Sequence, residues 1–104
     1  MSDVFAALAD PTRRGLLEAV TTRGEATATE LAAGLPISRQ AVAKHLALLQ
    51  EVGLVESRRA GRETRFAPRP APLDDAIGWM ATLGGRWDDR LGALAEAAAR
   101  RARE

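Results

Sequence analysis

The sequence predicts a mainly α-helical protein that carries one small β-hairpin. Helix-capping side chains occur at Asp10, Thr27 and Ser38, each ahead of a run with helical apolar spacing. One stretch, residues 55–66, has the alternation and central glycine of a hairpin. From Leu73 onward the chain is alanine-rich and predicts one long helix. These three observations define the fold class.

Length and composition fit one globular domain. The chain has 104 residues, 46% of them hydrophobic, which is enough for one core but not for two. No apolar run is long enough to cross a bilayer, and the N-terminus lacks the pattern of a secretion signal, so we expect a cytoplasmic protein without a membrane partner. The absence of cysteine excludes disulfides, thiolate nucleophiles, iron–sulfur clusters and cysteine-based zinc sites.

The first third of the chain predicts three helices. Asp10 caps a helix over residues 11–22 that begins with proline, and a shorter helix at residues 4–8 precedes it. Thr27 and Glu30 have the spacing of a capping box for a third helix, which ends before the next glycine. A proline then separates the third helix from the fourth.

The fourth helix, residues 38–52, has one apolar and one polar face. Ser38 caps it, and Gly53 ends it with a left-handed turn. On a helical wheel one side gathers the core candidates Val42, His45, Leu46 and Leu49. The other side gathers Arg39, Gln40, Ala43, Lys44 and Ala47. Small side chains there allow close approach to another surface, and a helix N-terminus favours anions. The polar face therefore either contacts another surface or is simply a solvated helix face.

Residues 55–66 predict a hairpin that is rich in arginine. Val55–Arg59 and Glu63–Phe66 alternate and are joined across a glycine turn, and four arginines lie within them or in the turn: Arg58, Arg59, Arg62 and Arg65. Residues 38–69 carry seven basic and three acidic side chains, a net +4 against −3 elsewhere. Such a basic face is typical of a phosphate-binding surface, although a generally arginine-rich composition would also produce it.

The last segment is predicted to be a dimerisation helix. After a proline-rich connector at residues 67–72, apolar residues are spaced alternately four and three apart: Leu73, Ile77, Met80, Gly84, Trp87, Leu91 and Leu94. We expect the second half of this seam to contact another molecule, whereas the first half could pack on its own domain. Gly84 and Gly85 predict either a kink or the close approach of another backbone.

A helix, a tight turn, a second helix and a basic hairpin, in this order, indicate a winged helix-turn-helix. The major groove admits one α-helix, and Arg or Gln near its start can make bidentate hydrogen bonds to guanine or adenine. Arginines of the wing reach flanking phosphates or a narrow minor groove. The predicted DNA contacts are Ser38, Arg39, Gln40, Ala43, Lys44, Arg58, Arg59, Arg62 and Arg65. Strand alternation leaves open whether Arg58 and Arg65 lie on the other face of the sheet.

Two segments resemble the arsenic-repressor (ArsR/SmtB) family of bacterial winged-helix repressors: "ALADPTRRGLLEAV" and "TELAAGLPISRQAVAKHLALLQEVGLVESRRAGRETRF". The likeness covers residues 4–67, and it rests on the DPTR helix start, the S-x-x-x-V-x-x-H-L-x-x-L recognition helix and the R-x-G-R wing. It implies a homodimer, built from the first and last helices, that represses transcription by occupying an operator. Residues 1–69 would form the DNA-binding core and residues 70–104 the dimerisation helix.

The long last helix, with Trp87 in "RWDDRLGAL", is similar to a non-metal-sensing branch of this family, which implies that no cofactor is needed. Metal sensors of the family carry cysteines in the third helix, or Asp and His ligands along the last helix. Here the third-helix equivalent is Ala26–Thr29, and the single histidine is His45. Asp74-Asp75 and Asp88-Asp89 could in principle bind a hard cation, but adjacent acids on a helix point about 100° apart. The effector would be a small molecule, a protein antagonist or none.

The sequence indicates a binding protein and not an enzyme. It has no Gly-rich phosphate loop, no nucleophile–His–acid set and no tyrosine. The competing function is a winged-helix module that binds protein without binding DNA. The polar face of Arg39, Gln40 and Lys44 favours DNA, because a protein-binding face would expose large apolar residues. Trp79 and Trp87 are interpreted as core or dimer anchors.

Overall fold

The fold is known from a computed structural model that describes residues 2–103, apart from the side chains of residues 86–91, 94 and 95. Within these residues it contains five α-helices and three β-strands, in the order α1 Ser2–Leu8, α2 Pro11–Arg23, β1 Ala26–Thr27, α3 Ala28–Ala32, α4 Arg39–Glu51, β2 Val55–Ala60, β3 Glu63–Pro68 and α5 Ala71–Arg103. The predicted fold class is confirmed. None of the described helices is both long and apolar enough to cross a membrane.

The strands form one antiparallel sheet in the order β1-β3-β2. β2 and β3 are the predicted hairpin, and their register sets Arg58 opposite Arg65. The two-residue turn starts at Gly61, whose φ of +65° suits glycine. β1 adds a third strand through the pairing of Ala26 with Phe66. The sequence does not predict β1, because two residues are too few to show strand alternation.

Local hydrogen bonds define both ends of α4. Ser38 accepts a hydrogen bond on Oγ from the backbone N–H of Ala41 at 3.1 Å, as an N-cap should. At the other end Gly53 adopts φ +83°, and the N–H of Leu54 folds back to donate to the carbonyl of Leu49 at 2.9 Å. This is the predicted left-handed turn, with the hydrogen bond of a Schellman motif. Residues next to α4 in the chain therefore fix where it begins and ends.

The core lies between α2, α4 and the sheet. The largest fully buried side chains belong to these three elements and to the turn that follows α4: Leu16, Val20, Val42, Leu46, Leu49, Leu54 and Val55. Burial of so many aliphatic side chains fixes α4 against the body of the protein through one face only. The other face of α4 is left for contacts outside the domain.

The proline-rich segment differs from its prediction as a separate connector. β3 extends to Pro68 and α5 begins at Ala71, so only two residues link strand and helix. Pro68 ends β3, and Pro72 lies in the first turn of α5. Proline fits both places, because neither requires its missing backbone N–H.

The chain divides into two compact units, Met1–Asp74 and Asp75–Glu104. The second unit is the continuation of α5, which remains helical through Gly84 and Gly85. Its large apolar side chains include Ile77 at 57% exposure and Met80 at 46% exposure, both members of the predicted seam. The seam side chains of Trp87, Leu91 and Leu94 lie outside the described residues.

Candidate nucleic-acid interface

The polar face of α4 is exposed as the sequence predicts. Arg39, Gln40, Ala43 and Lys44 are all exposed, while the face behind them is buried. The first turn of α4 carries no acidic side chain. Its free backbone N–H groups and its cations therefore create a positive region at the start of the helix.

A cleft separates this end of α4 from the hairpin. Its volume is about 830 Å³, and its walls come from the start of α3, the exposed face of α4 and the wing: Thr27, Ala28, Thr29, Glu30, Ala33, Arg39, Ala43, Arg59, Arg62, Glu63, Thr64 and Phe66. Three arginines, Arg39, Arg59 and Arg62, thus border one cleft although they come from two elements. Among the described residues, no carboxylate lies within ion-pair distance of any of these three.

The hairpin places its four arginines in two different environments. Side chains of a strand alternate between faces, and residues opposite each other in register share a face. Arg59 faces the cleft together with its partner Thr64. Arg58 and its partner Arg65 share the other face. The question that the sequence leaves open is therefore answered, because Arg58 and Arg65 do not line the cleft.

Glu25 joins the two arginines on the outer face of the hairpin. Arg58 donates from Nε to Oε2 of Glu25 at 3.0 Å and from Nη2 to Oε1 at 2.6 Å. Arg65 Nε lies 3.7 Å from the same Oε1, and Arg65 Nη2 lies 3.2 Å from Oε2 of Glu63. The hydrogen bonds and charge of Glu25 raise the pKa of Arg58. A carboxylate between two cross-strand arginines offsets the repulsion that they would otherwise exert on each other.

The third wall of the cleft begins with a complete capping box. Thr27 Oγ1 accepts from the N–H of Glu30 at 3.1 Å, and Glu30 Oε1 accepts from the N–H of Thr27 at 2.9 Å. These hydrogen bonds lower the pKa of the Glu30 carboxyl, and the positive charges of Arg23 and Arg65 add to the shift. The predicted capping box is confirmed. It fixes the start of α3 beside the cleft.

His45 connects the recognition helix to the start of α2. Its Nδ1 lies 3.8 Å from Oδ2 of Asp10, which is also 3.3 Å from Nη1 of Arg13. Arg13 donates in addition to the carbonyl of Ala7 at 2.7 Å. Arg13 and Asp10 therefore form an ion pair at the start of α2. The sequence places His45 on the core side of α4, and in the structure its side chain is half-buried beside Asp10.

Sequence reasoning misses two contributors to this surface. Glu25 is 33 positions from Arg58, so no local pattern announces their pairing. Phe66 is assigned by sequence to the hairpin, but nothing in the strand pattern says that it lines the cleft. The positions of Glu25 and Phe66 both depend on the pairing of β1 with β3. Only a prediction of that pairing would have revealed them from the sequence.

Comparison with known proteins agrees with this geometry. A family model described as a helix-turn-helix domain matches residues 8–58. The transcriptional repressor SdpR of Bacillus subtilis is 31% identical over 91 residues, which cover 88% of this chain and 100% of SdpR. The solved structure of an ArsR-like transcriptional regulator from Rhodococcus sp. RHA1 is 44% identical, with a TM-score of 0.75 and coverage of 93% of this chain and 91% of its own. The chain belongs to the ArsR family.

Membership of the ArsR family makes this chain a DNA-binding transcriptional regulator, which is not an enzymatic class. The predicted winged helix-turn-helix fold is confirmed by the same comparisons. A homodimeric winged helix-turn-helix domain, Mb0332 from Mycobacterium bovis, shares the fold with a TM-score of 0.64 at 21% identity, covering 81% of this chain and 77% of its own. Among the residues whose side chains are described, no three His, Asp or Glu side chains are grouped so that they could hold a metal ion.

Proposed function

We propose that this ArsR-family regulator is a homodimeric repressor that binds its operator through the cleft between α4 and the wing. The observation that carries the proposal is the convergence of Arg39, Arg59 and Arg62 on one cleft. Two separate elements present guanidinium groups to the same space, which is the arrangement that a curved phosphate backbone requires. As a cytoplasmic protein it would have direct access to the chromosome.

The exposed start of α4 enters the major groove. Arg39 and Gln40 read base edges, because guanidinium and amide groups make bidentate hydrogen bonds to guanine and adenine respectively. Lys44, one turn further on, contacts the groove wall or a phosphate. Ala43 lets the helix approach closely, and Ser38 adds a hydroxyl contact to a phosphate beside its capping role.

The wing contacts DNA beside the recognition site. Arg59 and Arg62 border the cleft and reach the flanking backbone or the minor groove. Arg58 and Arg65 also belong to the basic wing, but each is ion-paired with a glutamate on the outer face. Their contribution to DNA binding is therefore smaller than that of the two cleft arginines.

Residues 70–104 mediate dimerisation through the heptad seam Leu73, Ile77, Met80, Gly84, Trp87, Leu91 and Leu94. The exposure of Ile77 and Met80 in a single chain supports this role, since large apolar side chains at helical spacing favour a partner helix. The homodimeric state of Mb0332, which has the same fold, also supports it. Two copies of residues 1–69 would then face two half-sites of one operator.

Regulation is proposed to act without a resident metal ion. Positions 26–29 carry no cysteine, and His45 is placed beside Asp10. Release from DNA would follow from a small molecule or a protein antagonist. Repression itself requires only that the bound dimer excludes other proteins from the operator.

Binding to a fluorescent duplex carrying the upstream promoter of its own gene tests the proposal. The expected result is tight binding that falls steeply between about 50 and 200 mM salt and exceeds binding to a scrambled duplex by at least about a thousandfold. Equal affinity for both duplexes would argue against operator recognition at this promoter. Absence of binding to either duplex would favour the competing function, a module that binds protein.

Dimerisation is tested separately by sedimentation. Trp87→Ala and Met80→Asp should each shift the protein toward monomer at low micromolar concentration, because both positions lie in the seam. Glu96→Gln, an exposed position elsewhere on α5, is the matched control and should leave the dimer unchanged. A dimer that survives both seam substitutions would place the interface elsewhere.

A further inference from the structure

The four arginines of the wing differ in how available they are for contacts with phosphate. Arg59 and Arg62 border the cleft, whereas Arg58 is held on the outer face by a bidentate pair with Glu25. Bidentate guanidinium–carboxylate pairs have a fixed geometry and use both charges. The pair thus makes Arg58 less available to phosphates. Arg65 lies 3.7 Å from Glu25 but is paired more closely with Glu63, at 3.2 Å.

Position along the chain explains how one glutamate can reach both arginines. Glu25 follows Gly24, whose φ of +80° ends α2 and redirects the chain into β1. β1 pairs with β3, which in turn pairs with β2. The carboxylate therefore projects from one edge of the sheet across β3 toward Arg58 on β2. The same pairing positions the wing relative to the body of the domain.

The number of free arginines on the wing affects how well the protein distinguishes its operator from other DNA. Contacts to phosphate supply affinity for every sequence, whereas base contacts discriminate among sequences. Each additional free arginine on the wing would raise affinity for operator and non-operator DNA alike. A regulator that must find a few operators among many non-operator sites therefore benefits when this sequence-independent affinity is limited.

We propose that Glu25 is a specificity-determining positioning residue that holds Arg58 away from the DNA backbone and so limits sequence-independent binding. This inference rests on the proposed function. Arg58 lies three positions before Gly61 at the wing tip, and its side chain is 62% exposed. Once released from Glu25 it can swing to the edge of the hairpin and meet a flanking phosphate. Glu25 thus acts on DNA without touching it.

The test compares the wild type with Glu25→Gln on the promoter duplex and on the scrambled duplex over a range of salt. Glu25→Gln should bind the scrambled duplex about threefold or more tightly at low salt, with a salt slope steeper by about 1, since each added phosphate contact contributes about 0.9. The ratio of operator to scrambled affinity should fall. If Glu25 served only to stabilise the wing, binding to both duplexes would weaken and the slope would not steepen.

Two further variants separate charge from position. The double variant Glu25→Gln/Arg58→Gln has the net charge of the wild type, and it should largely return the salt slope and the affinity ratio to wild-type values. Glu18→Gln, at an exposed position of α2, has the same net-charge change as Glu25→Gln and should leave both unchanged. Equal effects of Glu18→Gln and Glu25→Gln would overturn the inference, because only net charge would then matter.

The outcomes also distinguish this inference from the proposed function. If the wild type is selective and Glu25→Gln behaves like the wild type, the inference fails and the operator-binding function stands. If the wild type binds neither duplex, the proposed function fails and the role of Glu25 fails with it. Thermal unfolding of each variant, followed by circular dichroism, establishes that every comparison is made on folded protein.

Discussion

The recognition helix and the wing present cations to the same cleft, but different forces hold them in place. α4 is fixed by aliphatic side chains such as Val42 and Leu46, which are fully buried, and by local caps at both ends. The outer face of the wing is held by exposed ion pairs between arginine and glutamate. Apolar burial is not screened by salt, whereas exposed ion pairs are. The position of α4 should therefore depend little on salt, whereas the outer face of the wing should be adjustable.

The largest expected effect comes from breaking the anchor of α4. Leu46→Ala should lower the free energy of unfolding by about 2–5 kcal/mol, because it removes a fully buried side chain and leaves a cavity. Urea denaturation measures this loss. Lys44→Ala, on the exposed face of the same helix, is the control and should change stability by less than about 0.5 kcal/mol. Similar losses in the two variants would refute apolar anchoring of α4.

The second comparison separates the roles of the two elements on DNA. Arg39→Ala should cost about 1–3 kcal/mol of operator affinity and relax preference at one base pair, since Arg39 is proposed to read a base. Arg62→Ala should weaken binding to operator and scrambled duplexes alike and reduce the salt slope by about 1. Fluorescence anisotropy at several salt concentrations measures both quantities. Indistinguishable profiles for the two variants would show that these roles are wrongly assigned.

A smaller effect is expected from the cap of α4. Ser38→Ala should lower the free energy of unfolding by about 1 kcal/mol, because the N–H of Ala41 loses its acceptor. Ser38→Asp keeps an acceptor at the cap and should retain most of the stability while repelling DNA phosphates. Urea denaturation and anisotropy together resolve the two functions of this hydroxyl. A stability loss in Ser38→Asp as large as in Ser38→Ala would contradict the capping role.

The smallest effect should come from the exposed ion pair of the wing. Arg58→Gln should destabilise the domain less than Ser38→Ala does, and the difference from the wild type should vanish near 1 M NaCl, where the screening length is about 3 Å. Arg59→Gln, on the cleft face, removes the same charge without breaking an ion pair and should not reduce stability. Thermal unfolding at low and high salt makes the measurement. A loss that persists at high salt would mean that Arg58 contributes through packing.

The features that the sequence predicts well are those whose signals are local. The cap at Ser38 and the turn at Gly53 and Leu54 involve residues within a few positions of each other, so composition and spacing reveal them. The exposed face of α4 follows from helical periodicity alone. The identity of the hairpin follows from alternation around a glycine turn.

The features that the sequence does not predict depend on distant pairing. β1 is two residues long and exists because Ala26 meets Phe66. Strand alternation predicts that the wing arginines lie on two faces of the hairpin. It does not predict which face borders α4, because that depends on the pairing of β1 with β3. Glu25 is the clearest case, because its partner lies 33 positions away and its own neighbours give no hint of a role.

The short strand β1 also bears on the order in which the domain folds. Its pairing of Ala26 with Phe66 closes a loop that contains all of α4, and such closure costs more chain entropy than the local turns of a helix. We expect α4 to form early and the seating of the wing on the body to come late. Substitutions at Ala26 should then speed unfolding while leaving the folding rate nearly unchanged, which stopped-flow kinetics can measure. The wing would then dock on the body of the domain after α4 has formed, and it would detach early in unfolding.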